Sequence, residues 1–95
     1  MNIEGFIWLE DILEKLWRKH HVAENEVEEV FDNTPYYRFV EKGYRAGEDV
    51  YAALGQTSGG RYLIVFFVYK QNRQALIISA RDMTAGEWRL SLIHI

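Results

Sequence analysis

An α+β fold, with one mainly antiparallel sheet packed on helices in the order β-α-α-β-β-β-β-α, follows from three features of this 95-residue chain. Apolar residues recur at helical spacing before Pro35 and in extended runs after it. Turn-forming clusters cut the second half into short segments rich in β-branched and aromatic residues. A Thr-x-x-Glu pattern at Thr84 and Glu87 then opens one more helix. Helices grouped before and after a block of strands, rather than alternating with them, give α+β. The length suits a single domain over residues 1–95.

The elements follow in order. Ile3 to Trp8 is short and rich in strand formers, and reads as a first strand. Asp11 to His21 reads as a helix whose inner face carries Ile12, Leu13, Leu16, Trp17 and His20. Glu14 and Arg18 stand at the favourable i, i+4 spacing on its outer face. A second helix spans Glu24 to Asp32, with Val27, Val30 and Phe31 inward and glutamates in its first turns, where they complement the helix dipole. Ala23 stands where a Ser or Thr cap would fit, at a cost of about 1 kcal/mol. Pro35 cannot continue the helical ladder and marks the change of period. Four strands follow: Tyr36 to Glu41, Val50 to Thr57, Arg61 to Tyr69 and Gln74 to Ala80. Leu63 to Val68 is apolar without alternation, as in a central strand covered on both faces. Trp8 and Trp17 read as core.

Composition narrows the function classes. There is no Cys, which excludes disulfides, thiol catalysis and cysteine-based zinc sites and suits a reducing cytoplasm. No secretory leader is readable, and no apolar run is long enough to span a bilayer as a helix. The net charge of −3 conceals an asymmetry. Met1 to Pro35 carries nine acidic and three basic residues, a balance of −6, whereas Tyr36 to Ile95 carries five acidic and eight basic, a balance of +3. A phosphate backbone responds to the local field rather than to the sum.

No metal motif is present, and no cofactor is expected. His20 and His21 diverge by about 100° on a helix and cannot readily share one ion. Gly59 and Gly60 lie between strands, as a hairpin rather than a phosphate loop. What remains is a scatter of Arg, Tyr, His and Glu, which suits RNA cleavage without metal. That reaction must take a proton from the 2′-hydroxyl, return one to the leaving 5′-oxygen and stabilise charge on the phosphate. Arginine fits the last task through its planar, permanently charged fork. Arg45, Arg61 and Arg81 fall at or beside strand ends, with Arg89 on the last helix. Tyr51 and Tyr69 are among the rings that could stack on unpaired bases.

Four segments carry a family resemblance. Lys19-His20-His21-Val22 resembles the Lys-His-Gly-Val/Ile segment that ends the first helix of BrnT-type toxins. Glu28-Glu29-Val30-Phe31 resembles the helix that follows, and Gly60-Arg61-Tyr62-Leu63 the family's Gly-Arg plus apolar strand. Ile77-Ile78-Ser79-Ala80-Arg81, with Thr84 and Glu87, resembles its most specific segment, Ile-Ile-Ser-Ala-Arg before a Thr-x-x-Glu helix start. The resemblance runs from Phe6 to about Arg89. It implies a RelE-like fold, a ribonuclease that arrests growth, and a ribbon-helix-helix antitoxin as partner. Its implied catalytic residues are His20, Arg61, Arg81 and Glu87, with Arg45 and Arg89 as weaker RNA contacts. The chain departs from the family at Trp88, at Ser91 and through an apolar tail over residues 90–95 that has lost the helical charge pattern and reads as truncated or replaced.

Each of these residues also has a structural reading. His20 suits a core histidine, Glu87 suits the capping box alone, and Arg61 suits a solvated strand edge. Arg81 follows a buried strand, so its charge must be paired or face a cleft. Two further functions stay open: a protein-interaction module without catalysis that binds the antitoxin through its acidic helices, and a homodimer joined through the apolar tail. On the residues alone, the enzyme reading hangs on Arg61 and Arg81 converging beside the sheet in a cavity able to hold a phosphodiester.

Overall fold

The computed structural model describes residues 1–94. Its elements are β1 (Gly5–Ile7), α1 (Glu10–His20), α2 (Glu24–Asp32), β2 (Tyr36–Glu41), β3 (Val50–Gln56), β4 (Tyr62–Tyr69), β5 (Gln74–Asp82) and α3 (Ala85–His94). The order is the expected one. The five strands form one sheet in the spatial order β1-β5-β4-β3-β2. β2, β3, β4 and β5 pair antiparallel, and β1 runs parallel to β5 with Gly5 opposite Gln74. The sheet is therefore mixed. Residue periodicity carries no strand direction, so this parallel edge was not visible in the sequence.

α1 and α2 cover one face of the sheet. Leu16, Val22, Val27 and Val30 from the helical side meet Ala53, Leu63, Val65, Phe67, Ala75, Ile77 and Ala80 from the strands, all fully or almost fully buried. Phe31 anchors this layer edge-on to Phe6 and to Phe67, with ring centroids 5.1 and 5.2 Å apart. Trp8 joins this layer, half-buried, and its indole N–H donates to Glu28 at 3.0 Å. Trp17 does not. It is 58% exposed and edge-on to His21, because a residue one step from Leu16 is turned about 100° from the inner face.

The second face is covered only in part. α3 crosses one end of it, and Leu90 and Met83 pack on Leu54, Ile64 and Ala52. The tail thus forms helix as far as His94, with Ser91 buried and Leu92 and Ile93 exposed; the expected atypical residue Ile95 lies outside the described residues.

Two bulges decide which side chains reach which face. Phe66 pairs with Ser79 but Phe67 pairs with Ile77, leaving Ile78 as the extra residue in β5. Side chains alternate along a strand, so one inserted residue reverses the faces beyond it. Ala75, Ile77, Ala80 and Asp82 therefore face α1 and α2, whereas Ser79 and Arg81 face α3. In β2 the register shifts between Phe39 and Glu41.

Candidate active site

The end of the sheet where β4 begins and β5 finishes holds two ionic clusters, one on each face. Leu63 pairs with Asp82 and Ile64 with Arg81, which places the two charged residues of β5 back to back.

On the α1/α2 face the centre is Arg61. A tight turn delivers it: Gly60 takes φ +97, which favours glycine, and the Thr57 hydroxyl accepts the Arg61 N–H at 3.0 Å. The guanidinium then fills its fork completely. Nε donates to Asp82 Oδ1 at 2.7 Å and Nη2 to Asp82 Oδ2 at 3.2 Å. Nη1 donates to the His21 carbonyl at 2.8 Å and to Glu26 Oε1 at 3.2 Å. Nη2 also donates to the His20 carbonyl at 2.9 Å. These carbonyls close the C-terminal end of α1, where a cation is favoured by the helix dipole. Glu26 also accepts the Ala23 N–H at 3.0 Å, capping α2 from the far side of the missing Ser or Thr. Five N–H donors meet five acceptors, and none is left for a phosphate. The hydrogen bonds from Arg61 hold the Asp82 carboxyl below the usual carboxylate range, with the nearby His20 adding a smaller pull.

On the α3 face the centre is Arg81. Its Nη1 and Nη2 donate to Glu87 Oε1 and Oε2 at 2.8 and 2.9 Å, a bidentate pair, and Nη1 also donates to the Asp82 carbonyl at 3.2 Å. Its carbon Cζ stands 5.7 Å above the Phe66 ring. Two of the five donors, on Nε and Nη2, meet no acceptor among the described residues. Glu87 is fixed from its own helix as well: it accepts the Thr84 N–H at 2.8 Å, and its own N–H donates to the Thr84 hydroxyl at 3.2 Å. The capping box is therefore present, and Arg81 is added to it. Hydrogen bonds from Arg81 pull the Glu87 carboxyl down to about 2, against a smaller opposing effect of burial. The pair is not sealed, since Arg81 keeps 35% and Glu87 22% of its side-chain exposure. Beside it lies a depression of about 240 Å³ bounded by Glu87, Arg38 and Val40 over a floor of Ala52, Ile64 and Phe66.

Several expectations need correction. Arg61 and Arg81 do not converge, because the β5 bulge sends them to opposite faces. His20 accompanies Arg61 rather than Arg81. Tyr51 and Tyr69 serve the α1/α2 core: Tyr51 stacks on Phe67 at 6.1 Å, and the Tyr69 hydroxyl donates to the Asn2 carbonyl at 2.8 Å. Both are half-buried against that core. Arg45 sits in the β2–β3 loop, at the opposite end of the sheet from Arg81. Arg89 is exposed on α3, one turn or less from Glu87. The sequence reading also missed Arg38 and Asp82. The alternation Tyr36-x-Arg38 could have shown Arg38 sharing a face with Tyr36, and nothing before the fold linked Asp82 to Arg61.

Among the described residues no group of three or more His, Asp or Glu side chains is placed to hold a metal ion. No described helix is long and apolar enough to cross a membrane. A search of curated proteins found no match to this chain. Residues 8–87 match the family model described as ribonuclease toxin, BrnT, of type II toxin–antitoxin system. That span includes both ionic clusters, the β5 bulge and the start of α3, and the chain belongs to this BrnT family of ribonuclease toxins.

Proposed function

We propose that the protein is a metal-independent endoribonuclease whose reaction centre lies on the α3 face at Arg81. The observation that carries this reading is the state of that guanidinium: held by Glu87, half-buried beside a depression, and with two N–H donors that meet no acceptor among the described residues. A phosphodiester oxygen placed there would accept from Nε and Nη2, and the charge developing on phosphorus would be met by a fixed cation. Glu87 acts as a positioning residue. A carboxylate held near 2 is a weak base at neutral pH, and the role of Glu87 is to fix the plane of the fork. Arg61 and His20 contribute to the fold of the other face.

The remaining details of the proposal come from the family. The protein adopts a RelE-like fold, acts in the cytoplasm to arrest growth by cutting RNA, and is neutralised by a ribbon-helix-helix antitoxin. The test is cleavage of a single-stranded RNA by purified protein in EDTA. Wild type cleaves, and Arg81→Ala lowers the rate about 100- to 1,000-fold, the usual effect of removing one charge-stabilising donor. Loss of wild-type cleavage in EDTA with recovery on adding a divalent cation would refute metal independence. Cleavage surviving Arg81→Ala would refute the site.

A second reading is a non-catalytic interaction module. It is favoured by the acidic α1–α2 layer with Trp17 exposed at its surface, which suits a basic antitoxin segment. Growth unaffected by expression, together with a stable complex with the antitoxin, would support it. Self-association through Leu92 and Ile93, 44% and 76% exposed, is tested by light scattering before and after their removal.

A further inference from the structure

We infer that Arg38 is a second phosphate contact of the same site, so that the α3 face holds two phosphodiesters of one unpaired strand. This inference rests on the proposed ribonuclease reading and adds to it a substrate form: single-stranded RNA bridging two arginines.

Arg38 pairs with Ala52, Ala52 with Phe66, and Phe66 with Ser79, so one row of side chains crosses the sheet on the α3 face. The neighbouring row runs from Tyr36 through Leu54 and Ile64 to Arg81. Arg38 and Arg81 thus stand on one face, three strands apart, about 14 Å across the sheet and roughly 7 Å along it at normal strand geometry. The Arg81 guanidinium stands over Phe66 in the interval between them, and Arg38 lines that interval. That interval is the depression of about 240 Å³, and Arg38 and Glu87 are both on its rim.

The chemistry of the rim and floor agrees. Arg38 is exposed and makes no ion pair or side-chain hydrogen bond among the described residues. An arginine in the middle of a strand with an apolar row beside it contributes nothing to the core, so its guanidinium is available to a ligand. The floor of Ala52, Ile64 and Phe66 is apolar and suits the face of an unpaired base. Arg38 and Glu87 border the depression; Arg81 adjoins it over Phe66 and is paired with Glu87, so among the described residues the charge there without an ionic partner is that of Arg38. The acidic α1–α2 layer lies behind the sheet and does not border the site. A duplex, with its bases stacked inside, cannot put a base on this floor.

The test uses the full chain with two RNAs: a cleavable single strand, and the same strand with 2′-O-methyl groups, which cannot be cut. Arg38→Ala should raise KM severalfold with kcat unchanged, the signature of lost uniform binding. On the uncleavable strand it should lower the slope of log Kd against log salt by about 0.7, one phosphate's share. Arg38→Lys should restore most of that slope, and duplex RNA should show no Arg38 dependence. An unchanged slope and KM in Arg38→Ala overturns the inference, as does failure of wild type to bind the uncleavable strand. Binding without cleavage by wild type would instead defeat the ribonuclease reading and leave the Arg38 slope as an independent result. An Arg38→Ala protein that binds RNA normally but loses antitoxin affinity assigns Arg38 to the antitoxin contact and also overturns it.

Discussion

Arg61 commits all of its donors inside the molecule, whereas Arg81, twenty residues on, has two that meet no acceptor among the described residues. The difference follows from what each faces. Arg61 meets the carbonyl end of α1 together with two carboxylates, and its side chain is 27% exposed. Truncating it strands Asp82, Glu26 and the His20 and His21 carbonyls at once. Arg61→Ala should therefore cost about 2 kcal/mol, within the range for hydrogen bonds to charged groups. In a domain of this size that lowers Tm by roughly 10 °C, which thermal denaturation measures directly. Rim charges such as Arg18 and Glu14, 64% and 73% exposed, should give much smaller changes.

At the scale of elements, β5 and the start of α3 carry the proposed site. The capping box fixes Glu87, and Glu87 fixes Arg81. Thr84→Ala removes one acceptor from the helix start and should destabilise the protein by about 1 kcal/mol, read as a lower midpoint in urea. Cleavage should fall with it, because the fork loses part of its restraint. This is also the scale at which the sequence was partly opaque. The helices, five strands and capping box were legible, since period, turn residues and Pro35 are local signals. The face of Arg81 was not. Plain alternation from Ile77 puts Arg81 on the same side as Leu63 and Arg61, the arrangement a shared cavity needs. One extra residue, Ile78, reverses it, and a bulge inside an apolar run leaves no mark in composition. Arg38 was passed over for a related reason: a charge in mid-strand looks like any solvated strand face until the pairing shows what lies beside it. His20 and Glu87 kept two readings each, because adjacency to a carboxylate or a guanidinium is a tertiary fact.

Over the whole molecule the charge asymmetry becomes a layering. The first 35 residues, with a balance of −6, form β1 and the α1–α2 layer, and the rest, at +3, form most of the sheet and α3. RNA would approach the second side, and a basic protein segment the first. Acid should weaken the fold through the carboxylates that the arginines hold down. Glu87 at about 2, against an ordinary value of 4.5, contributes stability that is complete above its unfolded value. That contribution is lost as pH falls from about 4.5 towards 2, and Asp82 acts in the same direction. Chemical denaturation between pH 6 and 2.5 should show the decline, and Glu87→Gln should flatten it. An unchanged slope in Glu87→Gln would mean that the ion pair with Arg81 does not form in solution.

The α3 face as the place of reaction is tested most directly by comparing Arg81→Ala and Arg61→Ala in one RNA-cleavage assay, at a temperature where both are folded and with rates expressed per folded molecule. Arg81→Ala should lose activity by about 100-fold or more while keeping most of its stability, and Arg61→Ala should lose stability while cutting at close to the wild-type rate. The opposite pattern, with Arg61→Ala folded but inactive and Arg81→Ala still cutting, would move the reaction to the α1/α2 face and contradict the site described.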